Sequence, residues 1–467
     1  MPTALHTDLY LLTMAQAHHK ASRAQQRVEF DYMFRHTPFD SGFVVFAGLH
    51  DLLEQLQRLR FDEETLEFLR QQGFEADFLE TLRHTRFRGD ILSCHEGELV
   101  FPLEPILRVR ATMLEAQLIE TMVLNTLNFQ SLVATKAARI AHACKGLPFY
   151  EFGIRRAQGA GALSASRAAC IGGAHATSNV AAAKAYDLPM VGTMSHAWVQ
   201  SFPSELEAFQ TFAAHYPDAC TLLLDTYNTL QSGLPNAIHT AQQMREAGHS
   251  LQAVRLDSGD LAYLSKKTRA ALDEAGLQDV RIMVTNQLDE HLIKSLLDQH
   301  APIDAFGVGT RLSTGHPDGA LDGVYKLVAV GDEPKLKISD NFTKVNFPGS
   351  KSLHRFSSPE DGMFLADGFS QADAQTPTRI EHPFFSEQSS DVSELEAHTL
   401  HHTYMSWGKL TGASPSIADI AQYAAQQLER LPPEHRRFDN PHTYKVGITP
   451  ELRALRAALY AKARDAQ

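Results

Sequence analysis

The stretch Leu251–Asp260 joins an apolar run, Leu251, Ala253, Val254 and Leu256, to Arg255, Asp257, Ser258, Gly259 and Asp260. A short strand that stops on carboxylates, a guanidinium and a glycine puts charge where a backbone can come close to a ligand. Asp-Ser-Gly is also ordinary turn chemistry, so the companions of this stretch matter. The apolar runs Pro189–Met194, Ala219–Leu224, Arg281–Val284 and Ile303–Val308 end at His196, at Asp225, at Thr285 and Asn286, and at Gly309 and Thr310. Asp225, Asp257 and Asp260 offer oxygens for ribose hydroxyls or for Mg²⁺ held through water. Gly307, Gly309, Thr310 and Gly315 form a glycine- and hydroxyl-rich loop whose N–H groups suit a phosphate. Phe152, Arg155 and Arg156 follow the run Pro148–Glu151; a ring beside guanidiniums suits a planar, anionic ligand, and equally a core Phe with two surface arginines. Together these residues describe a phosphorylated sugar with a planar anionic ring.

Two further groups carry weaker signals. Thr177, Ser178 and Asn179 precede the helix-like Val180–Tyr186, where hydroxyls either cap the helix or join an anion site. His196 is one of 23 histidines, most of them expected to be structural, and only its place at a strand end singles it out. No G-x-S-x-G surrounds a serine, so a serine nucleophile is not expected. His398, His401 and His402 have the spacing of metal ligands on a helix face, but no strand leads into them.

The elements that would position these residues alternate. Amphipathic segments at Pro235–Glu246, Leu261–Glu274 and Asp289–Gln299 separate the strands, the pattern of βα units and of a parallel sheet. Polar residues at successive C-terminal strand ends favour a (β/α) barrel over an open doubly wound sheet, and no G-x-G-x-x-G follows a strand. Three regions follow: an N-terminal α/β domain over 1–135, a (β/α)-barrel catalytic domain over 136–335, and a C-terminal region over 336–467. The last contains a polar segment, Ser357–Thr378, and helices near Ile417–Leu431 and Pro450–Ala463, a helical extension packing on the other two.

A net charge of −12 over 467 residues, with no long basic block, argues against nucleic acid as a partner. The N-terminus lacks a basic leader and no apolar run is long enough to cross a membrane, so a cytoplasmic protein is expected. Cys94, Cys144, Cys170 and Cys220 form no C-x-x-C and read as reduced, buried thiols.

Ordered motifs over most of residues 3–356 resemble the nicotinate phosphoribosyltransferase family, type II phosphoribosyltransferases of NAD salvage. They are Thr7-Asp-Leu-Tyr10, Glu151-Phe-Gly-Ile-Arg-Arg156, Ala162-Leu-Ser-Ala-Ser-Arg167, Thr177-Ser-Asn179, Gly192-Thr-Met-Ser-His196, Leu224-Asp-Thr-Tyr227, Val254-Arg-Leu-Asp-Ser-Gly-Asp260, Gly307-Val-Gly-Thr310 and Gly323-Val-Tyr-Lys-Leu327. The resemblance implies the irregular barrel of that family and ATP-stimulated transfer of phosphoribosyl from phosphoribosyl pyrophosphate to nicotinate. It implies a homodimer in which Tyr10 crosses to the partner's site and sandwiches the pyridine ring with Phe152. Arg155 and Ser178 would lie near the ring carboxylate and phosphates. Arg255, Asp257 and Asp260 would orient ribose and pyrophosphate, the two aspartates with Mg²⁺; Asp225, Thr285 and Asn286 would line the same site. Gly307, Gly309 and Thr310 would hold the 5′-phosphate, and His196 would take a phosphoryl group from ATP. Gly159-Ala-Gly161 and Ala174-His-Ala176 depart from the usual pattern, which bears on loop geometry. Nicotinamide phosphoribosyltransferase is similar but carries Asp where Ser178 stands, and a carboxylate there would repel an acid. A non-catalytic pyridine-nucleotide-binding barrel is the remaining alternative.

Overall fold

The computed structural model describes residues 4–338 and 346–465. The chain divides into two compact units, one of residues 133–319 and one combining 1–132 with 320–467. The expected first and third regions therefore share a unit, and the boundaries fall at 132/133 and 319/320 rather than at 135/136 and 335/336.

The 133–319 unit is built on a six-stranded sheet in the order Ala176–Thr177, Phe149–Glu151, Ala305–Val308, Arg281–Val284, Ala253–Leu256, Thr221–Leu223. Every pairing is parallel, and the first strand in sequence, Phe149–Glu151, pairs with the last, Ala305–Val308. That cyclic order is a barrel's, with a seam in place of one pairing; a doubly wound sheet would reverse direction instead. Pro189–Met194 contributes only a parallel bridge from Met190 to Thr177. The strands are short apolar runs because both faces are covered: Leu222, Val254, Ile282, Val284, Phe306 and Val308 are fully buried. Helices Leu234–Glu246, Leu261–Glu274 and Glu290–Asp298 return the chain between strands, the last two capped by Asp260 and Asp289. The small-residue segment is also helical, over Gly161–Ile171, and its small side chains allow close packing: a Cβ on the Gly172 that ends it would lie 2.3 Å from the Ala134 carbonyl.

The other unit holds a seven-stranded and a six-stranded sheet. Its C-terminal part corrects the expectation of a helical extension. Helices Ile417–Arg430 and Pro450–Asp465 are present, but Lys351–Ser357, Phe364–Gln371, Arg379–Glu381, Ser389–Asp391, Glu396–Thr399, His402–Ser406 and Val446–Ile448 are strands. His398 and His402 thus lie on two strands rather than one helix face, and no group of three or more potential metal ligands occurs among the described residues. No helix among them is long and apolar enough to cross a membrane.

Candidate active site at the strand ends

Register alone brings the charged residues together. Leu223 pairs with Arg255, Leu256 with Val284, and Val284 with Phe306. Continuing the rows, one residue further aligns Asp257 with Thr285 and Thr285 with Gly307, and two residues beyond the Leu223 pair Asp225 aligns with Asp257. On the other side of the sheet Glu151 pairs with Val308 and Thr177, which aligns Phe152 with Gly309 and Ser178.

Arg255 is the hub. Its Nε donates to Thr285 Oγ1 at 3.0 Å, one terminal nitrogen donates to Thr193 Oγ1 at 3.0 Å and the Met194 carbonyl at 3.3 Å, and the other lies 3.1 Å from Asp257 Oδ1. Thr285 Oγ1 in turn donates to the same Asp257 oxygen. The guanidinium is thereby fixed by four neighbours, one of them charged. Asp225 Oδ2 accepts the Asp257 N–H at 3.2 Å and the Ser258 hydroxyl, while its Oδ1 is buried with no hydrogen-bond partner among the described residues. A buried carboxylate oxygen without a donor is costly unless something else satisfies it. His196, half-buried, has Nδ1 3.2 Å from Thr226 Oγ1 and Nε2 3.7 Å from Asp257 Oδ2. Asp260 is exposed and spends Oδ1 on the Tyr263 N–H, 3.0 Å away, as a helix cap. Asn286 is exposed at φ 85°, and Gln287 follows at φ 48°. Two successive non-glycine residues in the left-handed region mark strain beside the cluster.

The aromatic side of the site is shaped by close approach. A Cβ on Gly307 would meet Thr285 Cγ2 at 2.6 Å and the Phe152 ring at 2.7 Å; on Gly309 it would lie 2.9 Å from the Phe152 carbonyl. Only glycine lets the Phe152 loop lie against this strand end. Thr310 opens the short helix Thr310–Ser313. Arg155 and Arg156 are exposed.

Glu151 is the residue that spacing did not single out. It is 1% exposed; Oε1 accepts the Gly153 N–H, and Oε2 accepts Ser166 Oγ at 2.9 Å and Thr177 Oγ1 at 2.6 Å. Its carbonyl accepts the Ser178 N–H at 2.9 Å, and Asn179 donates through Nδ2 to Ser166 at 3.1 Å while capping Val180–Tyr186. One carboxylate so ties the Phe152 loop to the Ser178 turn. A buried acid closing the aromatic run Phe149-Tyr150 was the available signal. The atypical Ala174–Ala176 segment keeps its pairing, with His175 N–H donating to the Phe149 carbonyl at 2.9 Å. Thr193, Thr226 and Ser258 are further members of the cluster with no expected role.

Tyr10 belongs to the other unit, on helix Leu9–Lys20, where its hydroxyl donates to Glu120 Oε1 at 2.8 Å. Partial burial, then Glu120, pushes its pKa up to about 12, so it remains a neutral phenol.

Residues 5–128, 147–368 and 350–456 match in turn the nicotinate phosphoribosyltransferase N-terminal domain, the nicotinate phosphoribosyltransferase family and its C-terminal domain. A nicotinate phosphoribosyltransferase of Bacillus subtilis is 42% identical over 456 residues, covering 96% of this chain and 93% of its own. The crystal structure of human nicotinic acid phosphoribosyltransferase superposes with a TM-score of 0.87 at 31% identity, covering 97% of this chain and 99% of that one. A nicotinate-nucleotide pyrophosphorylase from Pyrococcus furiosus shares the fold, with a TM-score of 0.72 at 24% identity over 91% of this chain and 95% of that chain. The chain belongs to the nicotinate phosphoribosyltransferase family.

Proposed function

We propose that this protein transfers phosphoribosyl from phosphoribosyl pyrophosphate to nicotinate, forming nicotinate mononucleotide and pyrophosphate in NAD salvage. The observation that carries the reading is the Arg255–Asp257–Thr285–Asp225 cluster at the strand ends, with an unsatisfied Asp225 oxygen, beside a Phe152 loop that glycine brings into contact with it. The pyridine nitrogen attacks ribose C1 as the C1–oxygen bond to pyrophosphate breaks. Positive charge grows on the ribose, so position and stabilisation of the leaving group matter more than an acid–base pair. Phe152 supports the ring and Arg155 and Ser178 meet its carboxylate. Arg255, fixed by its neighbours, faces the pyrophosphate, and the N–H groups of Gly307, Gly309 and Thr310 hold the 5′-phosphate.

Mg²⁺ fits the carboxylates of Asp225, Asp257 and Asp260, each of which commits one oxygen locally and keeps the other without a hydrogen bond among the described residues. When bound, the metal would neutralise charge on the departing pyrophosphate.

ATP is the co-substrate that His196 serves. A neutral imidazole nitrogen attacks the γ-phosphorus, a nitrogen–phosphorus bond forms and ADP leaves. The working form is a cytoplasmic homodimer in which Tyr10 completes the ring site of its partner.

Incubation with phosphoribosyl pyrophosphate, Mg²⁺ and either nicotinate or nicotinamide, with and without ATP, tests the reading. Nicotinate mononucleotide should form and nicotinamide should be a poor acceptor; equal turnover of both rings would remove the acid specificity, and no turnover would leave a binding barrel. Ser178→Asp should weaken nicotinate use by about 5- to 150-fold, the effect of roughly 1–3 kcal/mol of like-charge repulsion. His196→Ala should abolish ATP hydrolysis and keep a slow ATP-independent transfer; undiminished acid-labile label from γ-labelled ATP in that variant would place the phosphoryl group elsewhere.

A further inference from the structure

In the unit formed by residues 1–132 and 320–467, a cleft of about 420 Å³ is lined by Arg27, His84, Arg86, Arg88, Glu115 and Trp407 among others. All three guanidiniums are exposed, and among the described residues none forms an ion pair. Arg86 is turned by backbone acceptors, the carbonyls of Arg83 at 3.1 Å and Thr85 at 2.6 Å. The carboxylate of Glu115 is committed locally: it accepts the Arg88 N–H at 3.1 Å and the Thr112 N–H and hydroxyl at 3.1 and 2.9 Å in a capping box. In a chain of net charge −12, such a convergence of uncompensated arginines is a local reversal of sign.

The second observation is the tryptophan. Trp407 and Gly408 form the tight turn between strands His402–Ser406 and Lys409–Leu410, at φ 49° and 71°. The turn is pinned: Trp407 N–H donates to Asp90 Oδ1 at 2.8 Å, Gly408 N–H to the Gly89 carbonyl at 2.9 Å, and a Cβ on Gly408 would lie 2.3 Å from the Phe87 carbonyl. A bulky residue in the left-handed region is strained, and Trp407 gains no burial in return, being 69% exposed. Arg27 lies 5.3 Å from its ring centroid. The fold therefore holds a large, exposed π-face rigidly at the mouth of a cationic cleft.

We propose that this cleft is a second ligand site, for a mononucleotide, with the phosphate on Arg27, Arg86 and Arg88 and the base stacked on Trp407. Its volume falls within the range of small-molecule sites. A nucleic acid strand is disfavoured, because the sequence holds no long basic block and its net charge of −12 repels a polyanion. Guanidiniums suit phosphate as bidentate donors, and stacking accepts any base.

Trp198 and Trp407 are the chain's two tryptophans, so full-length protein carrying Trp198→Phe reports on Trp407 alone. Its fluorescence should be quenched saturably by AMP, with adenosine and inorganic phosphate each binding more weakly. Arg27→Ala with Arg88→Ala should weaken AMP binding by about tenfold or more while nicotinate turnover is retained. Absence of saturable quenching at millimolar AMP, an unchanged titration in the double variant, phosphate binding as tight as AMP, or an oligonucleotide outcompeting AMP would each overturn the proposal. Circular dichroism confirms that the variants fold. Nicotinate turnover is measured separately, so failure here is distinct from failure of the proposed reaction.

Discussion

The two units use charged side chains in opposite ways. In the unit of residues 1–132 and 320–467, two buried clusters pair opposite charges: Asp31 lies 2.9 Å from Arg108 and 2.8 Å from Lys351, and Arg355 lies 2.7 Å from Asp367 and also pairs with Glu98, all nearly inaccessible to water. In the 133–319 unit, the charges at the strand ends are partly exposed and incompletely matched, with Asp225 Oδ1 lacking a donor among the described residues and Asp257 Oδ2 3.7 Å from an imidazole. In the first arrangement each of these carboxylates faces a cation at ion-pair distance. The second keeps acceptors in reserve, which costs stability and is what a binding site requires.

That contrast breaks most sharply at Arg355. Arg355→Met should lower the unfolding free energy by about 3–5 kcal/mol, because Glu98 and Asp367 would be left buried without their cation. A denaturant titration reads this directly; a loss under about 1 kcal/mol would mean that the hydroxyls of Tyr423 and Tyr444, which already donate to Glu98 and Asp367, suffice. Asp225→Asn should do the reverse. The amide removes an uncompensated charge, so stability should hold or rise while kcat/KM falls by about 10²-fold, the scale of losing one preorganised electrostatic group. Unchanged kcat/KM would show that the orphaned oxygen meets nothing during turnover.

The same contrast explains what could be read from the sequence. Strand Arg281–Val284 and helix Leu261–Glu274 agree with the structure to the residue, because strands covered on both faces are apolar throughout and stop abruptly on polar residues. Strands Lys351–Ser357 and Phe364–Gln371 were hidden because they carry His354, Arg355, Asp367 and Ser370 into the interior, where paired charges break the alternation of an ordinary strand. His398, His401 and His402 mimic helical spacing across a strand end and the start of the next strand. Nor does any local pattern announce that the chain beyond residue 319 rejoins the N-terminal unit. Within the site, strand-end residues were legible from position; Glu151 was not, since its part is played through hydrogen bonds to Gly153, Ser166 and Thr177.

Glu151 lies between the two extremes, fully matched yet within the catalytic unit. Glu151→Gln replaces one acceptor oxygen by an NH₂ and leaves one of its three donors unpaired, a cost of about 1–2 kcal/mol in stability. If the residue positions the Phe152 loop and the Ser178 turn, KM for nicotinate should rise by about tenfold with a smaller change in kcat. Equal loss of stability with KM unaltered would reduce Glu151 to a structural acid.

The smallest effect expected is a difference in acid sensitivity. In the unit of residues 1–132 and 320–467 partly buried histidines are held neutral: desolvation, then His402 and His50, pushes His95 down to about 4, and desolvation, then Arg108, pushes His401 down to about 4. The His95 ring stacks on His402 at 3.9 Å, so protonating both places two cations face to face. Because the folded pKa values lie below the unfolded value of about 6.5, the unfolded chain binds more protons between pH 6.5 and about 4. Stability is therefore fully present above pH 6.5 and declines as pH falls through that window. The melting temperature should drop by roughly a few degrees between pH 7 and 5, above the range where most carboxylates titrate. His95→Gln, which keeps an acceptor for the Tyr404 hydroxyl, should flatten that dependence. Amide hydrogen exchange at pH 5 should show residues 90–93 and 402–406 opening ahead of strands 253–256 and 281–284, because acid adds charge to the histidine stack on the first pair and to no comparable stack on the second. The same pH slope in wild type and His95→Gln, with exchange rising equally in both units, would show that the histidine stack does not set acid sensitivity.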